Sequence, residues 1–197
     1  MTFLFDIGRV LLDFDFESSL SRLLPPDCAD PHERLSRLLE RKDEFESGAI
    51  DPDEYVNWAL GVLGSSATPD EFRHAWQRIF KPNQAMWENV RNLSASGHRL
   101  ILFSNTNAIH CPWLFGEYPE FSLFHEAVLS FEAGAIKPHP PIYQHALDKH
   151  ALVPRETLYI DDLRDNIATG VEFGFHCHQY QLRDHAAFEN WLSSFPI

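Results

Sequence analysis

Positive charge is in short supply in this chain. Sixteen Lys and Arg stand against 29 Asp and Glu in 197 residues, a formal net charge of −13 at pH 7. Binding to a nucleic-acid backbone rests on clustered basic residues, so that class is excluded. A small anionic partner would have to be drawn in by local cations, a metal ion or one or two basic side chains. Cysteine is scarce as well: Cys28, Cys111 and Cys177 are odd in number, widely spaced and form no CxxC pair. Reduced thiols in a cytoplasmic protein are the expectation. No apolar stretch approaches the ~20 residues that span a bilayer. Asp6 interrupts the first apolar run and no basic segment precedes a long one, so neither a membrane anchor nor a signal peptide is expected. Internal repeats, low-complexity tracts and long linkers are also missing.

What is present is ordinary globular material, 44% hydrophobic and 23% charged. The length suits one full core plus a small insertion. The run Thr2-Phe3-Leu4-Phe5 followed by Asp6 reads as a buried strand of a parallel sheet. Asp6 then sits at the carboxyl end of that strand, where open α/β sheets place their ligands. A turn cap is the plainer reading of Asp6 alone.

Between roughly residues 14 and 80 leucines recur at helical spacing. Three helix starts share one signature: Asp30-Pro31-His32-Glu33, Asp51-Pro52-Asp53-Glu54 and Thr68-Pro69-Asp70-Glu71. Each offers an acceptor at the cap, a Pro at the first helical position and a Glu at the capping-box position. Tyr55, Trp58, Ala59 and Val62 share one face, and Phe72, Trp76, Ile79 and Phe80 another. These aromatics admit a pocket wall or a core, and helical spacing favours core. The acidic run Glu40, Asp43, Glu44 and Glu46 reads as a solvated face.

From residue 83 the pattern alternates. Asn83 caps a helix that Gly97 closes; strands follow at 99–103, 126–130, 157–160 and 175–180, with helices at 141–150, 164–172 and 185–193. Such alternation implies right-handed crossovers and a parallel sheet wrapped by helices.

Chemistry gathers at the strand ends. Leu100-Ile101-Leu102-Phe103 runs into Ser104-Asn105-Thr106-Asn107, and Leu158-Tyr159-Ile160 into Asp161-Asp162. The Asp pair reads as metal ligand or as helix cap, and the following Asn166 favours metal; Asp165 reads as exposed. Lys137-Pro138 precedes a helix. The Ser104 hydroxyl, the Asn105 backbone N–H and the Lys137 ammonium suit the fixed donors that a phosphate requires. His176 and His178 would share a strand face, but no third ligand stands at zinc spacing. His110 and His139 adjoin these loops and are candidates to reach them.

An Asp, a Ser, a lone Lys and a carboxylate pair in this order resemble the haloacid dehalogenase superfamily, whose members are mostly Mg²⁺-dependent phosphatases with an Asp nucleophile. The resemblance covers nearly the whole chain. Ser-Asn-Thr-Asn, Lys-Pro and Ile-Tyr-Gln-His look closest to bacterial sugar-phosphate phosphatases of the glucose-1-phosphate type. It implies a three-layer α/β/α Rossmann-like core, residues 1–13 and 81–197, with an inserted α-helical cap, residues 14–80. It also implies Asp6 as nucleophile, with Ser104 and Lys137 in catalysis. Mg²⁺ would be held by Asp6, the Gly8 carbonyl and Asp162, supported by Asp161. A small phosphorylated substrate would meet Arg9, Ser104, Asn105, Asn107 and Lys137. The expected partner is that small molecule, without nucleic acid or membrane.

One position departs from the family. Most members carry a second Asp two residues after the nucleophile, to protonate the leaving alcohol; here it is Gly8, followed by Arg9. Such an acid is typically worth ~10²–10⁴-fold. Arg9 suits bidentate recognition of an anion and equally a pairing with a nearby acid. The same gap fits a 2-haloacid dehalogenase, which needs no metal, or a weakly active binding protein. If another group supplies the proton, His110 and Asp13 are the first candidates.

Overall fold

The computed structural model describes residues 1–197. Seven strands occur, β1 (Thr2–Phe5), β2 (Leu12–Phe14), β3 (Phe80–Pro82), β4 (Arg99–Ser104), β5 (Glu126–Leu129), β6 (Thr157–Asp161) and β7 (His176–Gln179). Five form a parallel sheet in the order β5-β4-β1-β6-β7. This is the expected α/β Rossmann-like core. Phe5 pairs with Leu102 on one side and Ile160 on the other, so β1 lies at the centre. The chain leaves β1 towards β4 and β5, then returns past it to β6. Strand ends diverge at that reversal, and a crevice opens over the carboxyl end of β1.

Alternation along β1 divides the core. Phe3 and Phe5 join Leu100, Leu102, Leu158 and Ile160 beneath the helices Gln84–Ala95 and His185–Leu192. Leu4 turns to the opposite face with Ile101, Phe103 and Tyr159, under Ile142 and Tyr143 of helix Pro140–His150. Period-two side-chain direction makes a doubly buried strand apolar throughout. Helix Arg164–Glu172 approaches this face closely at Gly170. A Cβ there would lie 2.6 Å from Tyr159 Cδ1 and 2.9 Å from Cys177 Sγ, so only glycine lets helix and sheet meet.

The residues between β2 and β3 form five α-helices, Phe16–Leu20, Pro31–Arg37, Lys42–Glu46, Pro52–Leu63 and Pro69–Gln77. They bury an apolar cluster of their own, with Leu38, Tyr55, Val56, Leu63, Phe72 and Trp76 among its members. Thr68 and Glu71 complete a capping box, and Asp51 accepts from Asp53 N. Asp30 departs from the expected pattern: it makes no cap hydrogen bond and instead accepts from Arg34 Nε at 3.0 Å. The buried face of Pro52–Leu63 is Tyr55, Val56, Ala59 and Leu63, with Trp58 and Val62 only half-buried at its edges. Ile79 and Phe80 fall beyond the last helix of the insert. Phe80 belongs to β3, which pairs antiparallel with β2 at the base of the insert.

No helix is long and apolar enough to cross a membrane. All three cysteines are free thiols.

Candidate active site

Four segments far apart in sequence deliver side chains to the crevice. Asp6 follows β1 and is 7% exposed; Ser104 ends β4; Lys137 lies on the loop after β5 and is 3% exposed; Asp161 ends β6 and is fully buried. Lys137 Nζ donates to Asp6 Oδ1 at 3.0 Å, to Asp161 Oδ2 at 2.6 Å and to the Phe103 carbonyl at 2.6 Å. Three acceptors use all three ammonium protons. Burial works against the Lys137 charge, but the Asp161 and Asp6 carboxylates outweigh it and hold its pKa above the ordinary lysine value.

The two neighbouring aspartates differ sharply. Asp161 accepts from Lys137 and Tyr159 on Oδ2, and from the Leu163 N–H and Asn166 Nδ2 on Oδ1. Four donors fill its lone pairs, so it anchors the ammonium and the start of the next helix. Asp162 is half-buried, and the Gln179 side chain holds its backbone carbonyl. Burial and then the charges of Asp6 and Asp161 push the Asp162 pKa up to about 7. Asp6 is likewise raised to about 6, by burial first and by Asp161, with Lys137 and the Ser104 hydroxyl opposing. Carboxylate oxygens of Asp6, Asp161 and Asp162 all come within 4.8 Å of one another. Hard oxygen donors at this spacing fit Mg²⁺. Asp162 and Asp6 offer free carboxylate oxygens, whereas Asp161 is fully engaged and anchors the Lys137 ammonium behind them. The Gly8 backbone lies beside them: a Cβ there would sit 3.8 Å from Asp6 Oδ2 and 3.2 Å from Phe14 Cε1, so a side chain would crowd the loop.

Other expected site residues are engaged elsewhere. Arg9 adopts φ 57°, pairs with Asp13 and lies 4.4 Å over the Phe14 ring, so its guanidinium is turned to β2. Asn107 is buried; its Oδ1 accepts from Ile109 N and His110 N, beginning helix His110–Glu117. The Asn105 side chain brackets Lys137, donating to its carbonyl and accepting from its N–H, both at 2.8 Å. This clamp across two loops fixes where the ammonium stands. Asp165 and His139 are exposed. His176 and His178 pack against Phe195 and Trp191 near the C-terminus. Tyr159 was not among the expected site residues, although its place two residues before Asp161 on one strand face was the available signal.

A cavity of about 340 Å³ lies beside this cluster, bordered by Gly8 and Ser104 and by residues of the helical insert. Gly8 and the 104–107 turn line one end; Phe16, Phe45, Tyr55 and Trp76 wall the other. The aromatics of the insert therefore serve as core and cavity wall together. His110 crosses between the two parts, Nε2 donating to Trp76 O at 3.1 Å and Nδ1 accepting from Asn107 Nδ2 at 3.1 Å. Burial lowers its pKa to about 3, so it is a neutral clasp with no proton to spare.

A five-stranded parallel sheet thus carries buried carboxylates and one ammonium at its carboxyl edge, where open α/β sheets place their ligands. No family model matches the chain. It is 29% identical over 186 residues to the D-ribitol-5-phosphate phosphatase of Bacteroides thetaiotaomicron, covering 89% of each chain. The HAD-family enzyme bt-2542 of that organism, solved with magnesium and inorganic phosphate, superimposes with a TM-score of 0.78 at 22% identity, over 92% of this chain and 94% of that one. A HAD-like family hydrolase of Porphyromonas gingivalis matches with a TM-score of 0.76 at 26% identity, covering 97% of each chain. The chain is thus similar in sequence to a phosphatase and in fold to hydrolases of the haloacid dehalogenase (HAD) family.

Proposed function

We propose that this chain is a Mg²⁺-dependent phosphomonoester hydrolase acting on a small phosphorylated metabolite, a sugar or polyol phosphate, through an aspartyl-phosphate on Asp6. One observation carries this reading: three clustered carboxyl groups face a single ammonium. The two charges left over match one divalent cation. A dehalogenase that uses no metal would leave Asp162 without a task. The phosphatase relative, and the magnesium and phosphate held by bt-2542, support the same conclusion.

The chain's own residues divide the labour as follows. An Asp6 oxygen attacks phosphorus while Lys137, held by Asp161 and the Asn105 clamp, orients that carboxylate and donates to a phosphoryl oxygen. The Ser104 hydroxyl donates to a second. Mg²⁺ on Asp6, Asp162 and the Gly8 carbonyl would neutralise the incoming dianion. Water then hydrolyses the acyl phosphate. The insert of residues 14–80 closes the cavity as a cap and excludes bulk water. A panel of sugar, polyol and nucleoside phosphates, assayed with Mg²⁺ and with EDTA, tests the reading. Metal-dependent phosphate release supports it, whereas binding of the panel without hydrolysis overturns it in favour of a binding protein.

The same carboxylates predict a pH signature in metal-free protein. Asp6 and Asp162 rise from an ordinary 3.8 to about 6 and about 7 on folding. Their contribution to stability is therefore fully present below about pH 4 and lost as pH climbs through 6 to 7. At pH 7.5 without metal, Asp162→Asn should melt higher than the parent, and the gap should close towards pH 5. Saturating Mg²⁺ should raise the parent's Tm at pH 7.5, an effect worth about 3 kcal/mol at a hundredfold excess over Kd. The variant should show little of that rise. Differential scanning fluorimetry at two pH values measures all of these differences, and equal melting of both proteins at pH 7.5 would contradict the charge argument.

A further inference from the structure

Hydrolysis of an alkyl phosphate needs a proton for the departing oxygen, and Gly8 cannot supply it. Asp13 is tied to Arg9 on β2 and does not line the cavity, and His110 has both nitrogens committed. Four cavity-lining residues carry titratable side chains: Lys42, Glu46, Tyr55 and His110. The Tyr55 hydroxyl already donates to the Leu38 carbonyl at 3.0 Å, and Lys42 extends towards solvent, 45% exposed. Glu46 remains.

Its setting is unlike that of its acidic neighbours. Glu40, Asp43 and Glu44 are exposed as expected of a solvated face, whereas Glu46, at the end of helix Lys42–Glu46, keeps only 14% of its side chain in solvent. Oε2 is buried and has no hydrogen-bond partner. Its one charged partner is Lys42, whose Nζ forms an ion pair with Oε2 at 3.1 Å. A buried carboxyl group lining a cavity, with one half-exposed lysine as its only charged partner, is costly to keep ionised and is poised to meet a ligand.

We propose that Glu46 is the general acid of this enzyme, delivering a proton from the cap to the leaving oxygen on the side of the cavity away from Asp6. The assignment rests on the phosphatase reading above. Asp6 attacks phosphorus, the P–O(alkyl) bond breaks, and its electron pair takes the Glu46 proton, so the alcohol leaves neutral. In the second half, the Glu46 carboxylate takes a proton from the water that attacks the aspartyl-phosphate, restoring the acid. The surrounding charges are compatible with this cycle. Burial is the main influence raising the Glu46 pKa; Lys42 opposes it, and Asp43 and Asp6 add to it. Tyr55 faces the same carboxyl, whose charge helps to raise the phenol's own pKa.

The test is a leaving-group series. kcat/KM covers the steps up to alcohol release, so the shared hydrolysis of the aspartyl-phosphate does not enter it. For the parent, kcat/KM should vary little between p-nitrophenyl phosphate and alkyl phosphates such as ribitol 5-phosphate, after allowance for binding. In Glu46→Gln, the loss on the alkyl substrate should exceed the loss on p-nitrophenyl phosphate by about 10²-fold. The decline of alkyl-phosphate hydrolysis at high pH that reports a protonated acid should disappear, and Glu46→Asp should recover part of the alkyl rate. Residual aryl turnover shows that the variant is folded. Equal losses on both substrates, or a raised KM at unchanged kcat, would overturn the assignment and make Glu46 a binding group. Failure of the parent to hydrolyse any phosphomonoester with Mg²⁺ would instead overturn the phosphatase reading itself.

Discussion

Asp6→Asn is expected to remove turnover almost completely, lowering kcat by at least about 10⁴-fold, as loss of a nucleophile does elsewhere. The amide keeps the size of the carboxylate but cannot attack phosphorus. The fold should survive, because Lys137 retains Asp161 and the Phe103 carbonyl as acceptors. The variant also loses a buried carboxylate whose pKa is pushed up to about 6, chiefly by burial. Metal-free Asp6→Asn at pH 7.5 should therefore melt at or above the parent's temperature. Circular dichroism melts and a phosphate-release assay give both readouts. Turnover above about one per cent would refute Asp6 as nucleophile.

The second large effect concerns Lys137. Lys137→Ala removes the only cation bonded to Asp161 and leaves a carboxylate sealed inside the sheet. Breaking a buried ion pair from one side costs about 3–5 kcal/mol. For a chain of this length each kcal/mol moves Tm by about 2–4 °C, so a fall of the order of 10 °C is expected, together with loss of activity. Lys137→Ala combined with Asp161→Asn should recover much of the stability and none of the turnover. That split separates the ammonium's part in holding the fold from its part in chemistry. A single variant that melts with the parent would show that the Lys137–Asp161 contact carries no such energy.

Much of this architecture was legible because strand ends leave a simple trace. An apolar run stopping at Asp6, Ser104 or Asp161 announces both the strand and the polar group at its mouth, and helix caps such as Thr68 and Glu71 act within a few residues. What was hidden depends on contacts between distant segments. β2 and β3 have three residues each and are separated by the whole insert, so neither periodicity nor a hairpin turn betrays them. Helix His110–Glu117 contains Pro112 and Gly116, weak helix formers; the proline falls in the first turn, where it needs no hydrogen-bonded N–H. The Asn105 clamp on Lys137 spans 32 residues and has no local signature. Glu46 shares its acidic surroundings with Glu44 and Asp43, and only the packing of the helix end separates a cavity-lining acid from a solvated one.

The central position of β1 also bears on how the protein is made. The strand is synthesised well before its two neighbours, which begin at Arg99 and Thr157. At about 5–20 residues per second on a ribosome, the second neighbour emerges on the order of ten seconds later. Until β4 emerges Phe3, Leu4 and Phe5 have no partner strand, and one edge of β1 stays open until β6 follows; an unpaired apolar edge is a template for aggregation. Parallel pairing over such separations is slow to form because loop closure precedes any reward. The helices of the insert, made between β1 and β4, are the first elements able to cover this strand before its partners are translated.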